Sequence, residues 1–437
     1  MSSKNESSKK NGRRAVVVGG MRTPFVKAFT DFTTIDTIGL GVAAVRALLA
    51  RNDIAYRDVE SIVWGGVILP SGAPNVAREI ALDLRLSPAC EGMTVTRACA
   101  SGLQAITLAA AAIERGEADI VIAGGSDSTS NAEVKLPQHI VHAFAPLALG
   151  KPAPSDYVAA LAKLGPISEL LPQRPQIAER TTGEVMGESA ERMAVRNEIP
   201  RETQDELALR SHQRAAAAIA SGRFADEVTK VEAPGGRWVH GDGLVRGDTS
   251  LEKLAKLRPA FAKGGSVTAG NASPLTDGGA AVLLMSEEKA RALGKKPLAA
   301  FRSWSYVGVD PADQLLIGPA LAIPKALDRA GMSLKDIDLV DLHEAFAAQV
   351  LSVIKALGSR GFARTRLGRE EAVGEIDPVS VNVHGGSIAL GHPFGATGAR
   401  MVTTMANELA LTGKQTALLG ICAAGGLGAA AILERVD

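Results

Sequence analysis

Residues 97–126 read RACASGLQAITLAAAAIERGEADIVIAGGS, and the order of apolar residues in this stretch decides the fold class. Apolar positions recur at intervals of three and four residues, which predicts a helix with a single buried face. These positions are Leu103, Ile106, Ala110 and Ile113. Gly116 is typical of a helix end, and the near-continuous apolar run at 119–123 then predicts a strand buried on both faces.

The same order of elements returns near the C-terminus. Residues 391–398, GHPFGATG, open a segment with helical spacing that ends at Gly413, and an apolar run follows at 416–421. Other apolar or helically spaced segments lie at 15–18, 39–49 and 61–69. Strands that alternate with helices imply a mixed sheet covered on both faces. We therefore predict an α/β protein whose two halves repeat one supersecondary unit.

The composition excludes several classes of function. The 437 residues are 46% hydrophobic and 22% charged, which is typical of a globular protein. Forty-eight basic and 47 acidic residues leave a net charge of +1, so no overall field attracts nucleic acid or an anionic membrane. No apolar run is long enough for a transmembrane segment, and no signal-peptide pattern opens the chain. A cytoplasmic location is expected.

The pattern of composition divides the chain into four parts. Residues 1–14 are polar and basic, which predicts a disordered arm. Residues 15–130 together with 257–297 are expected to form an N-terminal α/β domain, and 298–437 a C-terminal one. Residues 131–256 lose the strand periodicity and are expected to form an inserted loop domain, which commonly supplies a lid or a partner surface. The helix candidates within this insertion are 155–164 and 201–220.

Three residues are candidates for catalysis. Cys99 precedes a predicted helix, where unpaired N–H groups and the helix dipole lower a thiol pKa and favour thiolate. His392 is held between Gly391 and Pro393 at a second loop-to-helix junction. Cys422 ends an apolar strand and precedes small residues whose backbone N–H groups can serve as an oxyanion site. A single cysteine or histidine is more often a buried structural residue, but the three together favour nucleophilic chemistry.

Other short motifs do not complete a known cofactor or metal site. Neither Gly19-Gly20 nor the glycines at 425–428 complete the G-x-G-x-x-G pattern of a dinucleotide site. His343-Glu344 resembles the start of a zinc-protease motif, but Ala347 stands where the second histidine should be. There is no P-loop. The three cysteines, Cys90, Cys99 and Cys422, are too few for a disulfide framework and suit a reducing compartment. We therefore expect no resident cofactor and no metal.

Five stretches in order resemble the signature blocks of thiolases. These blocks are residues 99–105, 271–281, 343–347, 385–398 and 422–426. The combination of His343-Glu344-Ala345-Phe346 with Cys422-Ala423-Ala424 resembles the branch that contains the β subunits of fatty-acid oxidation complexes. Residues 131–183 resemble the lengthened loop of that branch. The resemblance spans nearly the whole chain after the arm.

This resemblance implies a fold and a reaction. The fold is two duplicated βαβ-type halves in an α-β-α-β-α arrangement with an inserted loop domain. The reaction is CoA-dependent cleavage of a 3-ketoacyl-CoA to acetyl-CoA and a shortened acyl-CoA, as in fatty-acid β-oxidation. One alternative is biosynthetic condensation as an acetyl-CoA C-acetyltransferase, and another is a non-catalytic acyl-CoA-binding member of the fold. A decarboxylating ketoacyl synthase shares the duplicated fold, but the second cysteine argues for a thiolase.

The resemblance also implies the roles of individual residues. Cys99, activated by His392, becomes the acyl-enzyme, and Cys422 exchanges protons with the acetyl-CoA carbanion and with CoA. His392 and a water held by His343 resemble one oxyanion hole. The backbone N–H groups of Cys99 and Ala424 resemble a second one.

Ligands and partners follow from the same resemblance. Arg246 and the stretch 253–258 lie where the inserted domain would meet the nucleotide of CoA, and Ser273 and Met186 near its pantetheine. CoA is a substrate rather than a bound cofactor. A homodimer or homotetramer is expected, and a hydratase/dehydrogenase α subunit is a possible partner of the 131–183 insertion.

Overall fold

The computed structural model describes residues 12–134, 136–164, 166 and 178–436. It separates into two compact units: the larger holds the described residues up to Asn131 and from Glu179 onwards, and the smaller spans Ala132–Ala178. Residues 1–11 of the predicted arm and 167–177 of the predicted insertion lie outside the described residues. No helix among the described residues is long and apolar enough to cross a bilayer.

Strands occupy the apolar runs predicted at 15–18, 61–69, 119–123 and 416–421, and further strands lie in segments that were not predicted. They are β1 (Ala15–Arg22), β2 (Val26–Lys27), β3 (Ser61–Gly65), β4 (Glu91–Val95), β5 (Ile120–Ser128), β6 (Val231–Ala233), β7 (Arg237–Val239), β8 (Thr276–Ser286), β9 (Ala299–Gly308), β10 (Leu339–Leu342), β11 (Thr416–Ala423) and β12 (Leu427–Arg435). Because β5, β8 and most of β11 are buried along their length, they read as near-continuous apolar runs.

The helices occupy the segments between the strands. They are α1 (Thr37–Arg51), α2 (Val76–Asp83), α3 (Ser101–Arg115), α4 (Gln138–Leu149), α5 (Pro154–Ala162), α6 (Met186–Arg196), α7 (Arg201–Ala220), α8 (Leu251–Ala255), α9 (Glu287–Ala292), α10 (Pro311–Gln314), α11 (Pro319–Ala330), α12 (Ala347–Leu357), α13 (Arg360–Phe362), α14 (Ser387–Leu390) and α15 (Phe394–Thr412). Gly116 ends α3 with a left-handed φ of 79°, as its sequence position predicts.

The strand pairing confirms the predicted duplication. In the first half, β3 runs parallel to β5, and β8 then pairs antiparallel with both β5 and β1. In the second half, β10 runs parallel to β11, and β12 then pairs antiparallel with both β11 and β9. Each half therefore repeats one sequence of strand directions. The halves join where β1 pairs with β9 over Val16 and Val17.

The hydrophobic core confirms the predicted layers. One cluster joins α3 and α15 to apolar residues of both halves of the sheet, so these two helices form the middle layer. A second cluster packs α1 and α2 on the outer face of the first half, and a third packs α11 and α12 on the outer face of the second. Hydrophobic burial therefore produces the order α-β-α-β-α.

The two middle helices approach each other through glycines. An added Cβ on Gly102 would lie 2.2 Å from the carbonyl oxygen of Gly395, and one on Gly398 would lie 2.4 Å from the amide of Leu103. Only glycine permits backbones this close. The contact brings the N-termini of α3 and α15 together, and the loops that precede them carry Cys99 and His392.

Candidate active site

Cys99 lies in a tight turn between β4 and α3. The Ser101 hydroxyl accepts a hydrogen bond from the Arg97 amide at 2.7 Å and donates one to the Ala98 carbonyl at 2.6 Å. Ala98 adopts a left-handed φ of 45°, which is uncommon for a residue with a side chain and is often seen at functional sites. The turn holds the Cys99 thiol just before the helix N-terminus.

The expected lowering of the Cys99 pKa is wrong for the free protein. Burial raises the pKa of the Cys99 thiol to about 12, although the backbone N–H groups of Ala424 and Cys99 hydrogen-bond its sulfur and oppose that rise. Loss of solvation therefore outweighs the helix N-terminus. A thiol, rather than a thiolate, is the resting form of Cys99 at neutral pH.

His392 is fixed by contacts on its backbone and its ring. The preceding Gly391 has a φ of 100°, a conformation that glycine adopts readily. The His392 amide donates to Thr276 Oγ1 at 3.0 Å, and its ring Nδ1 lies 2.6 Å from Thr397 Oγ1. Burial and, to a smaller extent, the charge of Arg400 lower the pKa of His392 to about 3. The imidazole is neutral and can accept a proton.

His343 stands beside His392. It follows β10, its amide donates to the Gly420 carbonyl at 2.8 Å, and its Nδ1 lies 2.9 Å from Ser387 Oγ. The two imidazole centroids are 4.1 Å apart. Burial, the neighbouring His392 and Arg400 all hold the pKa of His343 well below its usual value. Two neutral histidines therefore line one side of the site.

Cys99, His343 and His392 form one cluster, in which a donor atom from each lies within 4.8 Å of the others. The Nε2 atoms of both histidines are buried and have no hydrogen-bond partner within the described chain. An unpaired buried polar atom is costly and often marks the place of a substrate. A sulfur and two imidazole nitrogens could also hold a soft metal such as zinc.

Cys422 completes the site from the second half. It lies on β11, it is buried, and burial and the neighbouring Cys99 raise the pKa of its thiol well above the usual value. Its strand is followed by a turn in which Gly425 and Gly426 have φ values of 80° and 66°. This turn aims the Ala424 N–H at Cys99.

Several supporting residues were missed in the sequence. Asp127, buried at the end of β5, accepts hydrogen bonds from the amides of Val67 at 2.9 Å, Ile68 at 2.5 Å and Gly395 at 2.6 Å. Burial raises its pKa to about 6 against the effect of these donors. A charged residue inside an apolar strand is a signal that could have identified Asp127.

A second supporting group lies behind His343. Arg400 and Asp341 form a buried ion pair at 3.0 Å, and Arg400 also donates to Ser387 Oγ at 3.3 Å. Glu344, next to His343, accepts from the Ser211 hydroxyl at 2.7 Å and from other donors. An arginine within the buried stretch of α15 is again a visible signal. Its partner could not be read from the sequence.

A cavity of about 560 Å³ adjoins the site, and its lining includes Arg246, Ser273 and Lys253. The segment that carries Ser273 connects the cavity to the histidines, because Leu275 pairs with His392 and the Ser273 amide donates to the Ala345 carbonyl at 2.9 Å. The structure therefore brings these three predicted residues together.

Met186 lies at the start of α6 and packs against the hydrophobic core. No contact in the described chain assigns it to the cavity, so its predicted contact with CoA stays a prediction.

Comparison with known proteins identifies one family over nearly the whole chain. Residues 15–288 match the thiolase N-terminal domain and 295–435 the thiolase C-terminal domain. The chain is 43% identical to a 3-ketoacyl-CoA thiolase of Shewanella pealeana over 99% of this chain and 100% of that protein. It is 46% identical to a 3-ketoacyl-CoA thiolase of Yersinia pestis over 97% of this chain and 98% of that protein.

Two solved structures share the fold. The acetyl-CoA acetyltransferase of Bacillus anthracis superposes with a TM-score of 0.81 and 35% identity, covering 97% of this chain and 99% of that one. The human mitochondrial 3-ketoacyl-CoA thiolase in complex with CoA superposes with a TM-score of 0.80 and 32% identity, covering 97% and 98%. The chain therefore belongs to the thiolase family.

Proposed function

We propose that this protein is a 3-ketoacyl-CoA thiolase that cleaves 3-ketoacyl-CoA with CoA through an acyl-enzyme on Cys99. The observation that carries the proposal is the cluster of the Cys99 thiol with two neutral histidines, with a second thiol, Cys422, close by. A nucleophile, a base and a separate acid are the groups that carbon–carbon cleavage of a 3-ketothioester requires.

In the first half-reaction, the Cys99 thiol gives its proton to His392 Nε2, and its sulfur attacks the ketone carbon. The bond between the α and β carbons breaks, and its electron pair moves to the α carbon as the enolate of acetyl-CoA. Cys422 protonates that carbon, and acetyl-CoA leaves. The backbone N–H groups of Cys99 and Ala424 hydrogen-bond the Cys99 sulfur in the free protein. In this proposal they stabilise the thioester oxygen while the enolate exists.

In the second half-reaction, the Cys422 thiolate takes the proton of an incoming CoA thiol. The CoA sulfur attacks the acyl group on Cys99, and the Cys99 sulfur leaves and recovers its proton from His392. The oxygen of the tetrahedral intermediate meets the His392 and His343 side of the site, where His343 acts through a water. Both thiols and both histidines return to their starting forms.

The cavity supplies a site for CoA. Lys27, Arg246 and Lys253 line it with one carboxylate, Asp248, which pairs with Lys253 at 2.8 Å. An excess of cations suits the phosphates of CoA on a chain whose net charge is only +1. In this proposal the pantetheine runs past Ser273, from these cations towards the histidines. CoA is a substrate in this proposal, and no resident cofactor takes part.

A second candidate is biosynthetic condensation, which the same groups perform in reverse. The similarity to the Bacillus anthracis acetyl-CoA acetyltransferase favours it. The experiment that separates the two measures CoA-dependent cleavage of 3-ketoacyl-CoA over a series of chain lengths, against condensation of acetyl-CoA. Efficient cleavage of chains longer than acetoacetyl-CoA supports the role in β-oxidation. Activity confined to acetoacetyl-CoA supports the biosynthetic enzyme, and no activity with either supports a non-catalytic acyl-CoA-binding protein.

The assembly and location remain part of the proposal. We expect a cytoplasmic homodimer or homotetramer, to be measured by light scattering. In the smaller unit, Leu149 on α4 and Tyr157 and Val158 on α5 are exposed, and this apolar surface supports docking of a hydratase/dehydrogenase α subunit. The domain limits predicted from the sequence likewise remain proposals.

A further inference from the structure

The two adjacent histidines make different contacts on their Nδ1 atoms. His392 Nδ1 lies 2.6 Å from Thr397 Oγ1, and His343 Nδ1 lies 2.9 Å from Ser387 Oγ. A neutral imidazole carries its hydrogen on only one nitrogen, so the partner of Nδ1 decides whether Nε2 offers a hydrogen or a lone pair. Both Nε2 atoms are buried and unpaired within the described chain.

Thr397 assigns the hydrogen of His392. Its hydroxyl donates to the Pro393 carbonyl at 3.2 Å, so the hydroxyl hydrogen is already used. With that hydrogen donated to Pro393, Thr397 Oγ1 accepts a hydrogen from His392 Nδ1. The Nε2 atom of His392 is left with a lone pair, which suits a base for Cys99.

Ser387 assigns the opposite state to His343. Its buried Oγ accepts from Arg400 Nη2 at 3.3 Å, and the one acceptor recorded for its hydroxyl in the described chain is His343 Nδ1. A hydrogen on His343 Nδ1 would leave the serine hydroxyl buried without an acceptor, which is unfavourable. The hydrogen of His343 is therefore on Nε2.

Arg400 makes this assignment hard to reverse. A guanidinium has donors but no acceptor, so Ser387 can only accept from it. Arg400 is fixed in turn by Asp341, 3.0 Å away, and both side chains are almost fully buried. Burial is the main cause that lowers the pKa of both histidines, and the charge of Arg400 acts in the same direction, so both are neutral.

We propose that Ser387 and Arg400 are positioning residues that hold His343 in the tautomer with hydrogen on Nε2, so that His343 donates a hydrogen bond while His392 accepts a proton. Two neighbouring imidazoles thereby present opposite groups to the substrate. The value of that difference for catalysis rests on the proposed function, whereas the tautomer is a property of the free protein.

The test is a direct measurement of the tautomers by NMR. The full-length protein is labelled with ¹⁵N at histidine, and two-bond proton–nitrogen correlation spectra are recorded at pH 7. Spectra of His343→Gln and His392→Gln assign the signals. We expect a protonated Nε2 on His343 and a protonated Nδ1 on His392. A protonated Nδ1 on His343 in the unsubstituted protein overturns the inference, and this measurement requires no folded variant.

Ser387→Ala tests the positioning role. We expect a mixture of His343 tautomers and about a tenfold loss of kcat with KM within about twofold, and we expect Ser387→Thr to restore both. Ser305→Ala is the matched control, because its buried hydroxyl donates to the Ala322 carbonyl at 2.6 Å and contacts neither histidine. An unchanged His343 spectrum in Ser387→Ala overturns the role. If the tautomers are as expected but the protein has no thiolase activity, the proposed function fails and the tautomer assignment stands.

Discussion

The two halves of the molecule repeat one arrangement but use it differently. In each half, a loop leads into a middle-layer helix, and the next strand returns beneath it: α3 with β5, and α15 with β11. The penultimate residue of β5 is Asp127, and that of β11 is Cys422. Asp127 holds backbone amides of both halves, whereas Cys422 faces the Cys99 thiol. Asp127 lies on the face of β5 that packs against the middle layer, whereas Cys422 packs with the outer cluster of the second half. The duplicated scaffold thus uses the end of one strand for structure and the end of its counterpart for chemistry.

The loops that precede α3 and α15 also carry different chemical groups. The first half supplies a thiol whose pKa burial raises to about 12, and the second supplies an imidazole whose pKa burial lowers to about 3. Neither group is charged in the free protein. Since proton transfer between them creates two charges beside buried side chains, the substrate and its oxyanion donors must stabilise that step.

Removal of the first-half nucleophile should have the largest effect. Cys99→Ser replaces the thiol with a hydroxyl of similar shape and removes the sulfur that carries the acyl group. We expect kcat to fall by at least about 10⁴-fold, with an unchanged melting temperature. Mass spectrometry of the intact protein after exposure to acyl-CoA should detect an adduct in the wild type and none in Cys99→Ser. A stable acyl adduct on another residue would refute the assignment.

Removal of the second-half thiol should affect carbon–carbon cleavage more than acyl transfer to Cys99. In Cys422→Ala, cleavage of 3-ketoacyl-CoA should fall by about 10³-fold because the enolate loses its acid. Transfer of an acyl group from acyl-CoA to Cys99 should fall much less, which quench-flow and mass spectrometry can measure. Cys90→Ala is the control, since Cys90 is buried outside the site. Equal losses in both steps would show that Cys422 has no separate role.

The neutral state of Cys99 and His392 can be tested by alkylation of the Cys99 thiol. Because the Cys99 pKa is raised to about 12 and the His392 pKa is lowered to about 3, the thiolate fraction should rise tenfold with each pH unit. Iodoacetamide should therefore modify Cys99 of the free enzyme about 10³-fold faster at pH 9 than at pH 6. Peptide mass spectrometry resolves Cys99 from the other thiols. A rate that levels off near neutral pH would indicate a preformed thiolate–imidazolium pair.

Local pattern explains why much of the fold could be predicted. The helix expected at 201–220 is α7, and the strand expected at 416–421 is most of β11, because burial of one face or of both leaves a periodic record in the sequence. Cys99, His392 and Cys422 stood at helix or strand ends, which made them visible. The resemblance added His343.

The supporting groups could not be predicted because they depend on pairs far apart in sequence. Asp127 meets Gly395, and Ser387 is set by Arg400 and His343, only after the halves have packed. The Cys99 pKa was missed for the same reason. A helix N-terminus is a local feature, whereas the surroundings of the thiol include His343, His392 and Ala424 from the second half of the chain.

The structural role of Asp127 gives the smallest expected change. Asp127→Ala leaves the amides of Val67, Ile68 and Gly395 without an acceptor, so we expect a loss of about 3 kcal/mol in unfolding free energy. It should also lower kcat by about tenfold to a hundredfold, because Gly395 begins the helix that follows His392. Urea denaturation and steady-state kinetics measure the two effects.

Glu191→Ala is the control that distinguishes a loss of kcat caused by a misplaced catalytic group from one caused by lower stability. Glu191 is a nearly buried carboxylate that accepts from the amides of Ser266 and Val267 at 2.7 to 2.8 Å, and none of its recorded contacts is to the catalytic cluster. Its removal should cost a similar amount of stability but leave kcat within about twofold. If both variants lose kcat equally, the loss reflects general loosening of the fold. If only Asp127→Ala loses it, the carboxylate of the first half positions the histidine of the second.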